Sequence, residues 1–86
     1  MEINSLIKIL KEKLTKKIKI NDIKIEDKSF LHKKHQDFDK NKFHIKLTIE
    51  SSELRKISSI EANRIIYGIL KDEMNRNIHS LQIIIV

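Results

Sequence analysis

Ile3, Leu6, Ile7, Leu10 and Leu14 recur at spacings of three and four, which lines them up on one stripe of a helix over about 2–16. Lys8, Lys11, Glu12 and Lys13 fall mainly outside that stripe. A helix lying on a membrane surface shares this pattern, but a small domain needs such a face to cover a sheet, and that reading is preferred. From Lys17 to Asp27 the isoleucines alternate with polar residues, as in a strand. The alternation slips phase at Asn21-Asp22, so either a bulge sits there or the strand covers only about 22–27. Residues 28–41 have no period and read as a long exposed loop, a class that is usually functional or disordered.

The clearest strand follows, with Phe43, Ile45, Leu47 and Ile49 pointing to a core and His44, Lys46, Thr48 and Glu50 to water. On this reading His44 is a plain outward-facing side chain. Residues 51–57 form a polar connection with room for one helical turn. Ser58 and Glu61 have the spacing of a capping box. The helix they open carries Ala62, Ile65, Ile66, Ile69, Leu70 and Met74 on its apolar face to about residue 76. A last strand from Ile78 to Val86 is expected to turn His79, Leu81, Ile83 and Ile85 to one side and Ser80 and Gln82 to the other. The order helix, strand, strand, helix, strand defines an α+β chain. A strand-helix-strand crossover makes its two strands parallel, so the expected product is a mixed three-stranded sheet covered on one face by both long helices.

Composition narrows the function classes. A chain of 86 residues holds a single domain spanning 1–86, and at this size it buries only ~60% of its unfolded surface, so every element must share one core. Apolar residues at 40% and charged residues at 35% describe a globular protein. No apolar run approaches the ~20 residues a bilayer requires, and Glu2 stands where a secretory signal would be positive; the expectation is a cytoplasmic chain with no membrane role. Without cysteine the chain supplies no disulfide, thiol nucleophile or thiolate ligand. Residues 1–46 hold 13 Lys against 7 Asp and Glu, whereas residues 47–86 balance 5 basic with 5 acidic side chains. That asymmetry points to an acidic partner, although an isoleucine- and lysine-rich composition also follows from adenine- and thymine-rich coding.

Enzyme chemistry finds little support. There is no nucleophile elbow and no glycine loop for phosphates, since Gly68 stands alone in a helical segment. The close carboxylates Glu26 and Asp27, or Asp37 and Asp39, are flanked by lysines and read as solvated charges. Histidines are more informative. His32 and His35 lie three apart in the aperiodic stretch, and His79 opens the final strand. If stretch and strand start lie at the same end of the sheet, their imidazoles can converge on one metal of the zinc, copper or iron type.

Ile25-Glu26-Asp27-Lys28-Ser29 followed by His32, then the Phe43 strand, then Asn63-Arg64-Ile65-Ile66-Tyr67 and Ile78-His79-Ser80-Leu81 resemble the BolA family over roughly residues 3–85. The most specific piece is Arg64-x-x-Tyr67 leading into Ile78-His79-Ser80-Leu81. The resemblance implies a fold like the class II KH domain, in agreement with the element order. It implies a monothiol glutaredoxin partner and a shared 2Fe–2S cluster, with none expected on the isolated chain. It also implies that His79 is the shared ligand and His32 the second, with His35 a nearby competitor. A 2Fe–2S cluster needs four ligands, usually thiolates, so two imidazoles suffice only if the partner's cysteine and bound glutathione bring the sulfur.

The chain departs from the family in places. Ala62-Asn63-Arg64 keeps only the last residue of an Arg-His-Arg triplet, Lys56 stands near the position of a usual glycine, and Lys42 replaces a frequent histidine. These changes weaken any role of the helix against nucleic acid and leave His32 and His79 untouched. The competing function is a DNA- or RNA-binding transcriptional regulator. Lys33, Lys34, Lys40, Lys42, Arg64 and Tyr67 are the candidate partner or nucleic-acid surface, but the Gly-x-x-Gly clamp of KH domains is absent. A metal-free interaction module is the third reading, and zinc on His32, His35 and His79 alone would leave a coordination position to water. Alone, the chain is expected to be a monomer or weak homodimer.

Overall fold

The computed structural model describes residues 2–29 and 42–86. The first helix, α1, runs Ile3–Lys17 and buries Leu6, Leu10 and Leu14 completely, the stripe that the three-and-four spacing dictates. Ile18 ends it in extended backbone, its N–H donating to the Leu14 carbonyl, while Lys16 and Lys17 sit in the last turn where the helix dipole favours cations. Strand β1 is Asp22–Asp27, the shorter of the two expected strands. It pairs antiparallel with β2, Phe43–Glu50, in a register that sets Ile23 opposite Ile49 and Ile25 opposite Leu47.

The polar connection after β2 contains a capped turn, α2, Ser52–Arg55. Ser51 is fully buried; its hydroxyl accepts from the Leu54 N–H (3.2 Å) and donates to the Lys19 carbonyl (2.8 Å). Ser58 caps α3, Ser59–Ile69, by accepting from the Glu61 N–H at 3.1 Å, as the capping-box spacing requires. The expected single helix to residue 76 is instead two: α3 stops at Ile69 and α4, Lys71–Arg76, follows across Leu70 (φ −97°, ψ 17°). Leu70 accepts from Met74 and donates to Ile66, so the ladder bends there without opening into a loop. Leu70 is fully buried at the bend, and the turn of α4 brings nearly buried Glu73 onto Lys13 of α1, with Nζ 2.9 and 3.0 Å from its two oxygens. The bend thus coincides with the burial of Leu70 and with the pairing of Glu73 with Lys13.

Strand β3, Ile78–Ile85, lies parallel to β2, giving the sheet order β1-β2-β3. The architecture is therefore the expected α+β one, with a mixed three-stranded sheet. Leu6, Leu10, Leu14, Ile45, Leu47, Ile49, Ala62, Ile66, Leu70, Ile78 and Leu81 form one continuous core between the helices and one face of the sheet. The other face carries Lys24, Glu26, His44, Lys46, Thr48, Ser80 and Gln82 at its register positions. Among the described residues, no helix is long and apolar enough to cross a membrane.

Candidate functional site

Strict alternation would put His79 on the side of Leu81. The structure overturns this expectation. Phe43 is opposite Ile78, yet His44 is opposite Ser80 and Ile45 opposite Leu81, so β3 carries one extra residue at its start. That residue is His79. Ile78 and Leu81 both need the core and stand an odd number of positions apart, which a regular strand cannot satisfy; the irregularity resolves the conflict and turns His79 out. His79 is exposed. Its ring centroid lies 4.8 Å from that of His44, with the planes tilted by 47°.

His44 is the residue that alternation misread. It lies on the sheet face away from the core, but it is only 7% exposed. Its Nδ1 is hydrogen-bonded to the Ser80 hydroxyl across the parallel pair (2.6 Å), and its backbone N–H donates to the Ser29 hydroxyl (3.0 Å). Ser29 in turn donates its N–H to the Asp27 carboxylate at 2.9 Å, and the Lys28 N–H donates to the His44 carbonyl at 2.7 Å. The signal available in the sequence was the odd spacing of Ile78 and Leu81, which requires a bulge beside Phe43-His44.

These bonds also locate the ends of the segment 30–41. On one side Ser29 is tied to His44; on the other, the Phe43 N–H donates to the Asn77 carbonyl at 2.8 Å. Both flanks therefore lie at the end of the sheet where His79 emerges. His32, His35, Lys33, Lys34 and Lys40 lie outside the described residues. Lys42, half-buried, directly precedes β2.

The remaining candidates are on α3 and separate in role. Tyr67 donates its hydroxyl to the Leu81 carbonyl (3.1 Å), fastening α3 to β3 two residues beyond His79. Arg64 points elsewhere, into a groove between α1 and α3. On the open sheet face, Lys28 donates to Glu26 (2.9 Å), and this bond, with Lys24, Lys28 and Lys46 nearby, holds the Glu26 carboxyl below the usual carboxylate range against a smaller opposing effect of desolvation. Among the described residues no three histidines or carboxylates are grouped as a metal ion would require. The described part of the chain thus presents one exposed imidazole, braced by a second that is itself hydrogen-bonded.

Comparison with known proteins identifies the family. The chain is 34% identical over 74 residues to the UV-induced protein uvi31 of Schizosaccharomyces pombe, covering 81% of this chain and 72% of that protein. It is 29% identical over 77 residues to the DNA-binding transcriptional regulator BolA of Haemophilus influenzae, covering 90% of this chain and 72% of the relative. The solved BolA domain of SufE1 from Arabidopsis thaliana superposes with a TM-score of 0.78 at 28% identity, over 99% of this chain and 92% of that domain. With residues 14–86 also matching the family model of BolA-like proteins, the chain belongs to the BolA-like family.

Proposed function

We propose that this protein is a non-enzymatic adaptor that binds a monothiol glutaredoxin and supplies imidazole ligands to a 2Fe–2S cluster held jointly by the pair, in iron–sulfur assembly, trafficking or iron sensing. The observation that carries the reading is the exposed His79 imidazole, turned out of the strand beside the flanks of the segment that bears His32 and His35. His79 would be one ligand and His32 or His35 the other. The donor set suits this division: the chain has no cysteine, so the sulfur ligands would come from the partner's cysteine and from glutathione. When bound, the cluster would supply one-electron chemistry at a potential raised by imidazole ligation. The protein's own contribution is to hold the His79 ring at the surface, with His44 fixed behind it by Ser80.

The test is anaerobic reconstitution of the two proteins with iron, sulfide and glutathione, read by visible absorption and circular dichroism. A mixed-ligand spectrum is expected for the parent chain and its loss for His79→Ala. An unchanged spectrum and an unchanged complex in that variant would overturn the assignment.

The name of the Haemophilus influenzae relative favours a second reading, a nucleic-acid-binding regulator. The lysine-rich first half supports charge-driven binding. Among the described residues no aromatic cluster stands beside Arg64, whose groove is lined by Ile65, Gly68, Ile69 and lysines. A salt titration separates the readings. A regulator keeps its preference for one sequence at ~0.2 M salt, whereas a solubilising charge lets go of all sequences together.

A further inference from the structure

The helical side of the molecule, away from His79, carries a feature the adaptor reading does not use. Between the C-terminal halves of α1 and α3 runs a groove of about 670 Å³ lined by Lys13, Lys16, Lys17, Arg64, Ile65, Gly68 and Ile69. Its lining separates by chemistry. Ile65, Gly68 and Ile69, all from one helix, supply the apolar part of the lining, and cations of two helices supply the rest. Lys13 is already paired with Glu73. Lys16, Lys17 and Arg64 are exposed and make no ion pair with any described residue. The dipole of α1 accounts for Lys16 and Lys17 in its last turn, but not for Arg64 converging on them from α3.

Gly68 supplies the second, independent observation. It is the chain's single glycine and lies inside α3, where glycine is a poor helix former. The fold does not require it: its φ is not positive, and a Cβ built at this position would meet nothing within 4 Å. A glycine that neither backbone nor packing demands, in the lining of a groove, leaves room for close approach from outside.

We infer that this groove is the docking site for an acidic amphipathic helix of a partner protein, its apolar side chains on Ile65, Gly68 and Ile69 and its carboxylates against Lys16, Lys17 and Arg64. Apolar side chains flanked by charged ones are a feature of protein interfaces, and helix-in-groove docking uses such a combination. Other occupants fit less well. Nucleic acid would call for stacking aromatics, which the lining lacks. A flat lipid surface cannot enter a groove. A small anion site would need fixed polar groups within the groove, and a second copy of a chain with net charge +6 would bring mostly like charge.

The experiment is a titration of the full-length chain followed by amide chemical shifts. The probe is a synthetic helical peptide with leucines three and four apart and glutamates elsewhere. Shifts confined to the groove residues are expected, with affinity weakened about tenfold or more by Lys16→Glu, Lys17→Glu and Arg64→Glu together. Gly68→Leu is expected to weaken the peptide, whereas Gly68→Ala raises the melting temperature through helix propensity. His79→Ala should bind the peptide as the parent does, which keeps this inference separate from the cluster reading. The inference is overturned if the same peptide with lysines for glutamates binds equally, or if groove-reversed chains that retain native dichroism bind like the parent. It is also overturned if single-stranded DNA or phosphatidylserine vesicles shift the groove when the acidic peptide does not. It fails likewise if protein concentration alone shifts the groove, or if Gly68→Ala lowers the melting temperature.

Discussion

His44 and His79 touch, yet removing each should have a different consequence. His44 is nearly buried and bonded to Ser80, so His44→Ala loses a packed ring and that bond and should cost about 1–3 kcal/mol. In a domain of this size that lowers the melting temperature by roughly 4–8 °C for each kcal/mol. His79 is exposed, and His79→Ala should stay within about 0.5 kcal/mol of the parent. Thermal unfolding of the two variants by circular dichroism checks the contrast; equal losses would contradict the different surroundings of the two rings. Glu26 carries the pH dependence at this scale. Its carboxyl titrates low because Lys28 donates to it. Its stabilising contribution is therefore present above the ordinary carboxylate range and disappears as pH falls through the lowered value. Glu26→Gln should flatten that part of the acid limb of a pH–stability curve, and Lys28→Met should reproduce most but not all of the effect, since Lys24 and Lys46 remain near the carboxylate. Both residues are near in sequence and alternate toward the open face, which is why the charge pair was open to a reading from sequence, whereas the burial of His44 depended on bonds to Ser29 and Ser80, fifteen and thirty-six positions away.

Elements whose pattern is local were readable, and those decided by tertiary contacts were not. The stripe of α1 and the alternation of β2 each state their own period. The break at Leu70 and the irregularity at His79 do not, because each goes with contacts to other elements. Leu70 is buried where Glu73 reaches Lys13, and Ile78 and Leu81 must both enter the core. The two serine caps show the same division. Ser58 was legible from its partner three residues on, whereas Ser51 was hidden because its hydroxyl donates to Lys19 on another stretch of chain. Their energetics should differ accordingly. Ser58→Ala removes an exposed cap and should cost about 0.5–1 kcal/mol. Ser51→Ala takes the donor from the Lys19 carbonyl as well as the cap, at a fully buried position, and should cost about 2–3 kcal/mol. Urea denaturation of both variants, compared at constant slope, measures the difference. Similar losses would mean that the bond to Lys19 contributes nothing beyond capping.

At the scale of the whole molecule, one thin core holds apart two surfaces of different chemistry: the imidazole end of the sheet on one side and the cationic groove on the other. Central β2 joins them, since it alone pairs with both neighbouring strands. Leu47 sits at its middle, fully buried and opposite Ile25 on one side and Ile83 on the other. A domain of this length is expected to be stable by about 4–13 kcal/mol, while Leu→Ala in a core costs about 3–5 kcal/mol. Leu47→Ala should therefore remove a large share of the total and lower the urea midpoint with little change in slope. Because sheet and helices share this core, the exposure-sensitive signals of both surfaces should be lost in one transition. Ring resonances of His79 and amide resonances of Gly68 should disappear at the same urea concentration, in parent and variant alike. If the groove between α1 and α3 persisted after the histidine end had melted, the helices would hold a core of their own, and Leu47 would not be the residue on which both surfaces depend.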